Sequence, residues 1–140
     1  LLDASLDIRG VAKHLKRGRG ELKPALLNQG IVSGIGNIYA DEMLWRARLH
    51  PRQTRSHVSP HRLTELLLAG QDVMRDAFAQ GGTSFDELYV NVNGESGYFD
   101  RSLNAYGKAG LPCDRCGTEM VKEKIGGRGS TYCPHCQRRY

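Results

Sequence analysis

The sequence predicts a mainly α fold: a helical domain over residues 1–110, followed by a small β-hairpin lobe over 111–140. Three observations predict it. Through the first half of the chain apolar residues recur at three- and four-residue spacing, the period of a helix with one buried side. All four cysteines fall in the last 28 residues, as two Cys-x-x-Cys pairs. Between those pairs, short β-like runs at Met120–Ile125 and Ser130–Tyr132 flank the turn Gly126-Gly127-Arg128-Gly129.

The first helix is expected over Asp7 to Arg17, where Ile8, Val11, Ala12 and Leu15 share a face; Gly18 and Gly20 supply a stop. A short second helix, about Glu21 to Gln29, presents Leu22, Ala25, Leu26 and Leu27. Pro24 is tolerable only in its first turn, because proline lacks the amide that later turns need. Gly34-Ile35-Gly36 suits a tight turn with unusual dihedrals, and Asn37 is placed to cap a third helix of about Ile38 to Arg48. Asp41 and Glu42 fall early in it, where the helix macrodipole favours acids, and His50-Pro51 closes it.

Ser59 as cap and Pro60 as first residue open the clearest helix. Its stripe is Leu63, Leu66, Leu67, Val73, Met74, Ala77 and Phe78, and Gly81-Gly82 is its stop. Ser84-Phe85-Asp86-Glu87 has capping-box spacing for a further short helix. From Val90 to Gly110 the period fails among glycines, asparagines and serines. That is a long loop, of the kind that often carries function.

The lobe needs a staple, since so short a segment buries little surface alone. Cys113-x2-Cys116 and Cys133-x2-Cys136 stand 16 residues apart. Each pair lets one tight turn aim two thiolates at one ion, and the hairpin brings the pairs together into a tetrahedron. Zn2+ is the expected ion, in a structural role, because four thiolates leave no position for water. Two disulfides or an iron–sulfur centre compete, but a disulfide framework spreads its cysteines through a domain. A reducing, cytoplasmic setting follows. His135 lies inside the second knuckle and is expected to face solvent.

Net charge is +5 and the pI near 9.2. Basic residues gather at Lys13, Lys16, Arg17 and Arg19, at Arg46, Arg48, Arg52 and Arg55, and at Arg128, Arg138 and Arg139. Such clusters suit a polyanion, most often nucleic acid, although a solvated surface has the same charge. No stretch approaches the length of apolar residues that spans a bilayer. Leu1-Leu2-Asp3 has no basic region before an apolar run, so the start reads as the middle of a longer protein rather than a signal peptide.

Several motifs together carry a resemblance. Lys23-Pro24-Ala25-Leu26-Leu27-Asn28-Gln29, then Gly34-Ile35-Gly36-Asn37-Ile38-Tyr39-Ala40-Asp41-Glu42, resembles the helix–two-turns–helix motif of formamidopyrimidine-DNA glycosylases. The likeness runs on through Gly81-Gly82-Thr83-Ser84, Asn93 to Phe99, Tyr106-Gly107 and the finger run Gly127 to Gln137. Asn28 departs from the aspartate frequent in the family, keeping size and losing a charge.

The resemblance implies a base-excision-repair enzyme that removes oxidised purines, 8-oxoguanine and formamidopyrimidines, from damaged double-stranded DNA and then nicks the abasic site. In that family an N-terminal proline attacks the sugar. That proline belongs to a preceding catalytic domain absent from this chain, which is therefore expected to be the DNA-binding half, inactive alone and monomeric. The same resemblance implies DNA contacts at Lys23, Gly34, Gly36, Asn37 and Arg128, with Arg19 supporting the same backbone. Arg128 is further implied in δ-elimination, and the loop from Val90 to Tyr98 in closing over the extruded base. Three readings compete: an endonuclease VIII-type enzyme for oxidised pyrimidines, a stand-alone zinc-ribbon DNA-binding module, and a ribbon serving protein contacts only.

Overall fold

The computed structural model describes residues 1, 5–79 and 103–140. Helix α1 (Ile8–Arg17) begins one residue later than expected: Asp7 is its cap, its carboxylate accepting from the Gly10 amide at 3.1 Å. Helix α2 (Leu22–Leu26) is shorter than expected. Beyond it Asn28 turns the chain, its side-chain oxygen accepting from the Gly30 amide at 2.9 Å. Helix α3 (Asn37–Ala47) follows, ended by Arg48 in the left-handed region at φ 61 rather than by His50-Pro51. A 3-10 turn at Arg55–His57 leads to α4 (Pro60–Ala79), where the Ser59 hydroxyl accepts from the Arg62 amide at 3.2 Å. Strands β1 (Val121–Ile125) and β2 (Arg128–Tyr132) pair antiparallel, Val121 opposite Tyr132 and Ile125 opposite Arg128.

Helix α3 is the axis of the molecule. Every residue from Ile38 to Trp45 is buried, because α4 covers one side and β2 another. Leu15, Leu22, Leu26, Leu44, Leu63, Leu66 and Leu67 meet around it in one core. Each such leucine contributes about 1.5–3 kcal/mol by leaving water. A second, smaller cluster joins Trp45 to Ala105, Met120 and three of the cysteines. Trp45 thus belongs to the finger side of the helix.

Three local expectations are corrected. Asn37 does not cap α3: Gly36 occupies the cap position, and the Asn37 amide reaches across to the Gly129 carbonyl at 3.1 Å. Gly36 itself is extended, at φ −91, so the unusual dihedral belongs to Gly34 alone, at φ +90. The hairpin turn is only Gly126-Gly127, at φ 60 and 82, the two consecutive positive values that a two-residue turn of this hand requires. Arg128 is therefore the first residue of β2, with its backbone held in the ladder. Residues 103–110 form turns without helix or strand, as expected for the end of the loop. The Gly81-Gly82 stop, the helix at Ser84 to Glu87, the loop segment Val90 to Tyr98 and the place of the Phe78 side chain lie outside the described residues.

Candidate functional site

The four cysteine sulfurs lie within 4.8 Å of one another. Cys113 and Cys136 are 4.0 Å apart and Cys116 and Cys133 3.5 Å, far beyond a disulfide bond. A tetrahedral zinc with Zn–S of about 2.3 Å needs sulfur–sulfur edges of about 3.8 Å, so the donor set fits that ion. Gly117, in the first knuckle, adopts φ 78 as such a turn demands. The Trp45 indole N–H donates to Cys113 Sγ at 3.3 Å, and the Cys136 amide to Cys133 Sγ at 3.3 Å. Both donors stabilise thiolate over thiol. This is a structural Zn2+ site, closed by four sulfurs, and His135 is exposed beside it.

The second arrangement lies where the start of α3 meets β2. The Gly129 carbonyl accepts from two side chains, Lys23 Nζ at 3.0 Å and Asn37 Nδ2 at 3.1 Å. Lys23 also donates to Ser130 Oγ at 2.7 Å and pairs with Asp41 Oδ1 at 2.7 Å. The other Asp41 oxygen accepts from the Thr131 amide at 3.2 Å. Arg128, one residue before this clamp, is exposed. Asn37, Tyr106, Gly107, Lys122, Gly129 and Thr131 line a cleft of about 370 Å³ between the helix start and the strand.

Lys23 departs from expectation. An exposed lysine reaching a phosphate was expected, yet its side chain is fully buried, at 0% exposure. Burial lowers the pKa of its ammonium, opposed by Asp41, and burial raises that of the Asp41 carboxyl, opposed by Lys23. Lys23 donates to Gly129 and Ser130 and stands 2.7 Å from Asp41 Oδ1, so the two opposite charges are buried against each other. Lys23 is engaged by Gly129, Ser130 and Asp41 inside the protein.

The turn before α3 is braced from within. The Gly34 amide donates to Gln29 Oε1 at 2.9 Å, and Gln29 Nε2 donates to the Ile35 carbonyl at 3.3 Å. Ile35 is buried, so the turn shows its glycine backbone outward. The amides of Asn37 and Ile38, at the start of α3, have no acceptor inside the helix.

The basic residues sort into two kinds. Arg52 is shared by Glu21 and Glu123. Arg55 is buried and donates to the carbonyls of Leu15, Arg19 and His14. Lys16 bonds the carbonyls of Ser56 and Val58, each at 3.0 Å, and Arg46 pairs with Asp76. These hold the fold. Arg17, Arg19, Arg48, Arg128, Arg138 and Arg139 are exposed.

One residue with a clear role was read only as a helix-dipole acid. Glu42 is buried at 1% exposure, and its carboxylate accepts three successive amides: Asn104 at 2.7 Å, Ala105 at 2.8 Å and Tyr106 at 2.7 Å. Burial raises its pKa, while these three donors lower it. Nothing local in the sequence signals partners some sixty positions away.

Residues 2–87 match the formamidopyrimidine-DNA glycosylase H2TH domain, and residues 110–139 match the zinc finger found in FPG and IleRS. A formamidopyrimidine-DNA glycosylase of Corynebacterium glutamicum strain R is 63% identical over 139 residues, covering 99% of this chain and 49% of that protein. One of Mycolicibacterium vanbaalenii is 60% identical over 138 residues, covering 99% of this chain and 47% of that protein. Among solved structures, the Lactococcus lactis enzyme non-covalently bound to abasic-site DNA superposes with TM-score 0.80 at 34% identity, over 95% of this chain and 46% of that one. The same enzyme with DNA containing FAPY-dG gives TM-score 0.81 at 34% identity, over 95% and 48%. The chain spans about half the length of the curated relatives it matches.

Proposed function

Because the chain belongs to the formamidopyrimidine-DNA glycosylase H2TH family, we propose that it is the DNA-holding half of a base-excision-repair glycosylase and AP lyase acting on oxidised purines in duplex DNA. The nucleophile then lies in the half of the enzyme that this chain does not span, and the 140 residues alone do not cleave. Residues 1–110 are the helix–two-turns–helix domain, with α2, the Gln29-braced turns and α3 as its motif, and 111–140 are the finger. The protein works as a monomer in the bacterial cytoplasm, at the nucleoid.

A glycosylase must kink the duplex and extrude a nucleotide, so it needs a fixed grip on the backbone beside the lesion. Gly34 and Gly36 let phosphate approach the backbone, and the amides at the start of α3 offer it donors and a positive dipole end. Asn37 uses its amide on Gly129 and belongs to the same surface. Arg19 supports the flanking backbone. Arg128 enters the minor groove, holds the phosphates around the flipped nucleotide and donates the proton in δ-elimination. Lys23, expected among the contacts, lies behind them.

The observation that carries this reading is the exposed Arg128, presented beside the start of α3 by a strand clamped onto that helix. The test is affinity for a duplex with a stable abasic-site analogue against the undamaged duplex, at several salt concentrations. Binding that prefers the abasic duplex and weakens steeply with salt is expected. Equal, salt-insensitive affinity for both duplexes would leave the finger as a protein-contact ribbon.

A further inference from the structure

We infer that Lys23 and Asp41 form a buried positioning pair that sets Arg128 for DNA, without touching DNA themselves. The inference rests on reading Arg128 as a DNA contact. Its basis is the way β2 is held. Three consecutive residues after Arg128 each surrender a group to this pair: Gly129 its carbonyl and Ser130 its hydroxyl to Lys23, and Thr131 its amide to Asp41. The pair itself comes from two helices, the first turn of α2 and the second turn of α3, so both are tied to the strand at one point.

The chemistry of the pair argues against a bland packing role. Both side chains are almost wholly buried, at 0% and 1% exposure. Apolar residues of similar volume commonly stabilise such a site as well or better, because desolvating two charges costs much of what their attraction returns. What apolar residues cannot supply is a directed hold on a strand. A carbonyl, a hydroxyl and an amide in sequence are bonded from one side, which fixes both the height and the rotation of β2 where it leaves the glycine turn. Gly126 and Gly127 give no side chains to stiffen that turn. Without the pair, the segment from Arg128 to Thr131 keeps the hairpin ladder and the Asn37 bond to Gly129, while Arg52 still holds the opposite strand through Glu123 and the Lys124 carbonyl. Arg128 is also close enough for its charge to act on the Lys23 ammonium, so the tip and the pair share one field.

The experiment measures affinity of the chain for the duplex carrying a stable abasic-site analogue. The variants are Arg128→Ala, the double variant Lys23→Met with Asp41→Leu, and the triple variant combining them. Zinc stoichiometry and helical circular dichroism are recorded for each. The double variant removes both buried charges together, so no unpaired ion is left inside. Arg128→Ala is expected to weaken binding roughly tenfold. The double variant should keep wild-type zinc and helicity and lose a similar factor, and the triple variant should bind no worse than Arg128→Ala alone. Wild-type affinity in the double variant overturns the positioning role, and so does a loss that multiplies with that of Arg128→Ala. Unchanged binding by Arg128→Ala itself sinks the DNA-contact reading instead, which separates the two failures. Asp41→Asn is the milder arm should the double variant lose zinc or helicity. It should give an intermediate loss that vanishes in the Arg128→Ala background, and a loss that persists there overturns the pair's role.

Discussion

The helical part and the finger solve the same problem by different means. The helical part gathers more than twenty buried apolar residues around α3, so exclusion of water is the main force that holds its helices together. The finger buries far less: Met120 and three cysteines cluster with Trp45 and Ala105, and Ile125 and Tyr132 are also buried. It substitutes a metal inside and polar staples outside: Lys23 to Gly129, Arg52 to Glu123, Gln137 to the Leu49 carbonyl, and paired backbone bonds between Arg138 and residues 48 and 50. A lobe of that kind is as rigid as what it is fastened to. The difference teaches that the tip residue Arg128 takes its position from α2 and α3 rather than from the finger's own packing.

Zinc removal should break this comparison most visibly. A structural site of this type contributes on the order of 10–16 kcal/mol in apparent terms, so chelation is expected to unfold the hairpin while α1 to α4 persist. Trp45 is the single tryptophan and lies against Cys113. Its emission should therefore shift to the red while the helical circular dichroism remains. Collapse of the helical signal along with the emission would show one cooperative unit.

The reverse probe is Leu66→Ala, at a position with 0% exposure in the helical core. A cost of about 2–5 kcal/mol is expected, read as a lowered midpoint of the helical transition in urea, with zinc still bound at one ion per chain. Loss of zinc at the same denaturant concentration would contradict the division.

A smaller effect is expected from Glu42→Gln. The amide keeps shape but turns one acceptor into a donor facing the amides of residues 104–106, at a cost of about 1–3 kcal/mol. Amide hydrogen exchange at Ala105 and Tyr106 should quicken most; uniform acceleration across α3 would mean that Glu42 only packs.

The smallest expected effect concerns Tyr132, whose hydroxyl donates to Glu123 at 2.7 Å. Burial, followed by that carboxylate, raises the phenol to about 12. A folded pKa above the ordinary phenol value of about 10 means the contribution is full below that value and fades as pH rises towards 12. In a spectrophotometric titration of the zinc-loaded chain, the phenol lost in Tyr132→Phe should be one that ionises near 12, and Glu123→Gln should move it down. No shift in that variant would leave burial as the sole cause.

Much of the helical part was legible because its information is local. Ser59 caps the helix it precedes, and Leu63, Leu66, Leu67 and Val73 share the buried face that their spacing predicts. The zinc ligands were legible because two short knuckles are also local. The charged residues were not. Lys23 and Gly129 are 106 positions apart, and Arg52 and Glu123 are 71. A sequence shows that a residue is basic but not whether a buried acceptor awaits it. Arg52 and Arg55 therefore read as part of a polyanion surface, although Arg52 is taken up by Glu21 and Glu123 and Arg55 is buried on backbone carbonyls. Asn37 misled for the same reason: a helix-capping role is local, and a carbonyl from the distant strand takes its amide instead.

The claim that some arginines hold DNA while others hold the fold is tested most directly by salt dependence. Affinity for the abasic-analogue duplex would be measured against salt for wild type, Arg128→Ala and Arg52→Ala, with thermal stability recorded alongside. Arg128→Ala is expected to leave the melting temperature unchanged and to reduce the salt slope by about one counterion. Arg52→Ala should lower the melting temperature and keep the slope. A reduced slope for Arg52→Ala, or an unchanged one for Arg128→Ala, would contradict the account.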